Sequence, residues 1–167
     1  MSNVVYLITS LPTLTFGQKA PVSQDEFMQT AKYQLSEGQY KMLEALDIRN
    51  LSNMTSFNGL NHVVQTFNDL EVDKQEIRNA KRQSRTPNVI TLPTRILDKN
   101  PLELERYFMK MLWEALETID SMEQFTLTEV FVYKLKLQIL ERLDSFDTEK
   151  GNEMLDSIVY PASDKIE

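Results

Sequence analysis

Apolar residues recur every three or four positions along most of this chain, and capping residues stand at the head of nearly every such run. The first run differs. Val4, Val5, Tyr6, Leu7 and Ile8 are consecutive, a pattern that a buried strand and a buried helix share, and their β-branched content favours a short extended segment. Ser10-Leu11-Pro12 breaks the run, and Phe16-Gly17-Gln18-Lys19-Ala20-Pro21 reads as an irregular loop. Ser23 and Glu26 have capping-box spacing, which sets a helix start near Gln24 with Phe27, Met28, Ala31 and Leu35 on its apolar face. Ser36 and Gln39 repeat the signal for a helix over about 37–47 carrying Tyr40, Leu43 and Leu46. The two helices are expected to fold back on each other with almost no loop.

A polar stretch from Asn50 to Asn61, containing Gly59, precedes a third helical face made by Leu60, Val63, Val64, Phe67 and Leu70. That face runs into a charged tail, Glu71 to Arg85. Residues 86–101 hold three prolines and little periodicity, and read as a surface-crossing linker within a single helical domain of residues 1–167, dividing possible lobes 1–86 and 101–167. Asn100 as N-cap, Pro101 at the first helical position and Glu103 and Glu105 in the first turn mark a strong helix start. Leu104, Phe108, Met111, Ala115 and Ile119 form its inner face, and Glu103, Arg106, Lys110, Glu114 and Glu117 its outer one.

Thr126 and Glu129 cap a further helix over about 127–146. One apolar sector holds Val132, Leu135, Ile139, Leu143 and Phe146, and a second holds Val130, Tyr133, Leu137 and Leu140, which predicts a central helix covered on two sides. Lys134, Gln138, Glu141 and Ser145 remain as its polar stripe. Asp147 is expected to cap a last helix through Met154, Leu155, Ile158 and Val159, stopped by Pro161. The chain thus reads as a mainly all-α bundle of about six to seven helices, with no internal repeat.

Composition narrows the functional classes. The chain has no cysteine, which excludes disulfides, thiolate metal sites and cysteine nucleophiles, and fits the cytoplasm. A net charge of -7 disfavours nucleic acid and anionic lipid as partners of the chain as a whole. The opening run lacks a basic residue before it and a small-x-small site after it, so it is a poor signal peptide. No window reaches the length of a membrane-spanning helix.

Candidate chemistry is sparse. His62 is the sole histidine and has no H-x-x-x-H or H-E-x-x-H neighbour, so a surface or capping role fits it better than a ligand or base. The four glycines form no phosphate-cradling motif. Glu103/Glu105 and Glu114/Glu117 sit with Arg106 and Lys110, where pairing along a solvated helix is their ordinary purpose. Glu129 and Lys136 lie two turns apart on one face, as cap and snorkelling side chain or as partners of another helix. Methionines 109, 111, 122 and 154 suit adaptable core filling or re-packing interfaces. Lys74, Arg78, Arg82 and Arg85 recur at helical spacing with Lys81 alongside; residues 71–86 carry five positive and three negative charges, leaving -9 for the remainder. Such a stripe is either a solvated face or a docking surface for an acidic partner, protein before nucleic acid, because no aromatic residues interleave it.

Three segments carry a resemblance: VYLITSLPTLTFGQKAPVSQDEF, ILDKNPLELERYFMKMLWEALE and FVYKLKLQILERLDSFDTEKGNEML. They resemble a short bacterial family of unknown function encoded among V-type ATPase subunits of Bacteroidetes and spirochaetes. Tyr133 to Arg142 is also similar to the final helices of the C/d-type connector of V/A-type ATPases, an all-helical funnel joining the central shaft to the membrane rotor ring. Those proteins are longer and built of three related units, a repeat this chain lacks. The resemblance implies a non-catalytic subunit or accessory protein, cytoplasmic and peripheral to the inner membrane. It implies other V-type ATPase subunits as partners, contact with membrane only through the complex, and neither cofactor, metal nor small-molecule substrate. The alternative from the residues alone is a regulatory helical module that binds nucleic acid or protein through residues 74–85.

Overall fold

The computed structural model describes residues 3–53 and 58–159, with side chains described through Phe146 apart from residues 53–58. Among the described residues there are six α-helices and no strand: α1 (Val4–Ser10), α2 (Gln24–Gln34), α3 (Glu37–Ala45), α4 (Asn61–Arg82), α5 (Pro101–Met122) and α6 (Leu127–Val159). Short 3-10 segments cover Ile48–Asn53, Asn58–Leu60 and Thr94–Ile96.

Local capping explains most of the boundaries. The Ser23 hydroxyl accepts the Glu26 amide at the start of α2, and Ser36 and Gln39 form a full reciprocal capping box at the start of α3. Asn100 accepts the Glu103 amide ahead of Pro101 and opens α5. At α6 the expected box is rearranged. The Thr126 hydroxyl donates back to the Glu123 carbonyl, while the Glu129 carboxylate accepts the Phe125 amide, one residue earlier than a box requires.

Two expectations are corrected. Residues 4–10 are a helix and not an extended segment. The Asn3 side chain accepts the Tyr6 amide, the Thr9 and Ser10 hydroxyls fold back onto carbonyls one turn earlier, and Leu7 is fully buried. These tertiary and capping contacts outweigh the weak extended preference of β-branched residues. The separate last helix is also absent, because α6 continues through residue 147 to Val159. Neither proline nor glycine interrupts the chain between Thr126 and Lys150, so the amide-to-carbonyl ladder has no cause to break there. Pro161 lies outside the described residues, as do the side chains of Asp147, Met154, Leu155, Ile158 and Val159.

The core is one apolar cluster running from Leu7 through Leu43, Val63, Phe108 and Leu116 to Phe146. α6 is its axis. Val130, Phe131, Val132, Leu135, Leu137, Ile139, Leu140 and Leu143 are all buried, as the two apolar sectors predict for a helix covered on both sides. On α5 the buried face is broader than its spacing suggests, adding Met109, Leu112, Trp113 and Leu116. Lys74 on α4 reaches Glu105 and the Phe108 ring on α5, and a Cβ built on Gly59 would lie 2.6 Å from the Thr128 hydroxyl. The first contact ties the middle of α4 to the first turns of α5, and the second brings the segment before α4 against the start of α6.

Residues 86–101 are irregular but fastened. Asp73, buried on α4, accepts the amides of Ile90, Thr91 and Leu92 at 2.8–3.0 Å, and Leu92 and Ile96 insert into the core. α4 itself closes with a Schellman motif: Arg85 N–H donates to the Ala80 carbonyl, Ser84 N–H to that of Lys81, and Ser84 takes the left-handed conformation at φ 51°.

Candidate partner-binding surface

The basic stripe divides into residues used internally and residues left outside. The Lys74 ammonium lies 3.1 Å from Glu71 and 3.8 Å from Glu105, over the Phe108 ring. Arg85 forms a two-pronged pair with Glu76, whose Oε1 also accepts the Asn88 amide, and thereby fixes the turn after α4. The Arg85 hydrogen bond and then the Asn88 amide hold the Glu76 carboxyl down at about 2. Glu76 in turn raises the Arg85 guanidinium above its ordinary value, through its hydrogen bond first. Arg78, Lys81 and Arg82 are exposed, and among the described residues they make no ion pair.

The polar stripe of α6 is not a solvated face. Lys134 is 2 % exposed and donates to the carbonyls of Leu43, Glu44 and Leu46 at 2.7–3.2 Å, ending α3 where its own backbone partners run out. Burial lowers the Lys134 value, against the opposing pull of Asp47 and Glu44. One turn on, the Gln138 carbonyl accepts the Ile48 amide, and the Glu141 carboxylate accepts the Gln24 amide at the head of α2. Asp47 beside them would be raised by its burial, but hydrogen bonds from Arg49 and the charges of Arg49 and Lys134 leave it lowered. A groove of about 560 Å³ follows this seam, lined by Glu44 to Arg49, Glu105, Lys134, Gln138 and Arg142 among others.

A second charged group lies at the opposite edge of α6. The Lys136 ammonium sits 3.2 Å from Asp120 and 5.0 Å from the centre of the Trp113 ring, so it pairs across helices instead of snorkelling to solvent. Asp120 keeps one buried oxygen, Oδ1, without a hydrogen-bond partner among the described residues. Asp120, Glu129, Tyr133 and Lys136 line a cavity of about 250 Å³ closed by Ile8, Leu11, Pro12 and Leu14. Tyr133 donates its hydroxyl to the Pro12 carbonyl, and burial pushes its value up to about 12. The Ser-Leu-Pro break is thereby tied to the central helix.

His62 is exposed in the first turn of α4. Glu103, Glu114 and Glu117 are exposed on α5, Glu117 accepting the Trp113 indole N–H, while Glu105 turns inward to Lys74. Among the described residues, no group of three or more His, Asp or Glu side chains could hold a metal ion, and no helix is long and apolar enough to cross a membrane. No protein-family model, curated protein or solved structure matches the chain.

Proposed function

We propose that this chain is a non-catalytic subunit or accessory protein of a V-type ATPase, a C/d-like connector between central shaft and membrane rotor ring. The three segments that resemble the family encoded among those ATPase subunits motivate the assignment. The observation that supports it best is the seam of Lys134, Gln138 and Glu141, which binds α6 to the end of α3, the 3-10 segment that follows it and the start of α2. A part that transmits force needs elements that do not slide past one another. Displacing α6 by one turn, about 5.4 Å, would strip all three anchors and the Lys136–Asp120 pair together. Lys134 and Glu141, which face the groove along this seam, thus hold backbone, and α4 presents unpaired cations outward to another chain.

Affinity capture from solubilised membranes of the native cells tests the assignment. Identified V-type ATPase subunits, recovered in fixed proportion and unaffected by nuclease, are the expected result. Recovery free of every such subunit, or nuclease-sensitive recovery of nucleic acid alone, would overturn it. The latter outcome would favour the nucleic-acid-binding module, whose affinity should fall steeply with salt.

A further inference from the structure

Residues 71–86 contain three carboxylates, and all three are engaged inside the chain. Glu71 takes Lys74, Glu76 takes Arg85 and the Asn88 amide, and Asp73 takes the amides of Ile90 to Leu92. Arg78, Lys81 and Arg82 are left as three adjacent exposed cations with no carboxylate partner among the described residues. The helix dipole gives a reason for two of them. Lys81 and Arg82 stand in the last turn of α4, where the dipole favours a cation, but Arg78 stands a turn earlier, where that effect has faded.

The three positions fall within about 100° of the helix circumference and span about 6 Å along its axis. Two guanidinium forks four residues apart match two carboxylates at the same spacing on a partner helix, with Lys81 as a point charge beside them. We propose that Arg78, Lys81 and Arg82 form the docking site for a short acidic helical segment of a partner protein. It deepens the connector reading and rests on it, the partner being another member of the same complex.

Charge balance separates this occupant from a longer polyanion. Outside residues 71–86 the chain carries -9, so a nucleic acid or anionic bilayer reaching over the rest of the chain meets net repulsion. No aromatic residue lies between Arg78 and Arg82 to stack a base. A segment with two or three carboxylates satisfies the trio and ends there.

Fluorescence anisotropy on the full chain supplies the test, with a labelled twelve-residue helical peptide carrying glutamates at i, i+3 and i+4 as the probe. Replacing all three residues with Gln should weaken binding at least tenfold. Arg78→Lys with Arg82→Lys, which keeps charge but loses the forks, should weaken it about threefold, and Arg49→Gln, an exposed cation elsewhere, should leave it unchanged. Thermal melts should show every variant folded, the triple variant melting about a few degrees below the parent because Lys81 and Arg82 no longer favour the helix dipole. Equal binding by parent and triple variant, or binding of single-stranded DNA or phosphatidylserine vesicles as tightly as the peptide, would overturn the proposal. Capture of V-type ATPase subunits by parent and triple variant alike would keep the connector reading and remove this site. Peptide binding that depends on the trio, in a chain that captures no such subunit, would keep the site and remove the connector reading.

Discussion

Replacing Lys134 with methionine keeps much of the stem but takes the ammonium donor from the carbonyls of Leu43, Glu44 and Leu46, of which only Leu43 keeps the Leu46 amide. An abandoned buried acceptor costs about 1–3 kcal/mol, so Lys134→Met should lower stability by about 3 kcal/mol, read as a shift of the urea midpoint at unchanged slope. Glu76 makes a pH prediction. Its carboxyl is held at about 2, against 4.5 for the unperturbed group, so the folded state binds its proton less readily than the unfolded one. The contribution is therefore complete above 4.5 and lost as the pH falls from there through about 2; unfolding midpoints for Glu76→Gln should show a shallower acid decline across that window. Neither role is legible in the spacing of the residues. Periodicity reports which side chains share a helix face and says nothing of what lies opposite, so Lys134, Gln138 and Glu141 read as solvated and Arg85 as one cation among several.

Helix starts are the most legible elements, because a start is written locally in a side-chain oxygen and the amide three residues on: Ser23, Ser36 and Asn100 each mark one. Ends are less so. α4 stops at Arg82 by a Schellman motif in which Ser84 occupies the left-handed position that glycine commonly fills. Ser84→Gly should stabilise the protein by about 1 kcal/mol by removing the Cβ penalty, measured as a rise in melting temperature. α1 eludes sequence reasoning for a different reason. Seven residues are too few to show a period, and what decides between helix and strand is the burial of Leu7 beneath α2 and α6, a contact made over long separations. The continuous α6 shows the converse: Asp147 reads as the cap that opens a last helix, but such a residue starts a new helix only where the backbone leaves the one before it.

The all-α class and the central place of the helix from Leu127 are both readable from apolar spacing, since two buried sectors on one helix demand cover on two sides. The arrangement of the other helices around it is not, because the fastenings join residues 88 to 117 positions apart. Hydrogen exchange should follow that arrangement: amides from Val130 to Leu143 are expected to exchange only through global unfolding, and those of α1 through local opening at far lower cost. The seam on α6 also bears on how the chain matures as it is made. α2 and α3 depend for their terminating partners on Lys134, Gln138 and Glu141, which leave the ribosome 88 to 117 residues later than the groups they hold. At roughly 5–20 residues per second, the opening hairpin waits several seconds with its final carbonyls turned to water before the strut that closes it arrives. Nascent chains halted before residue 134 should therefore be cleaved readily between Gln24 and Ile48, and chains released past Phe146 should resist.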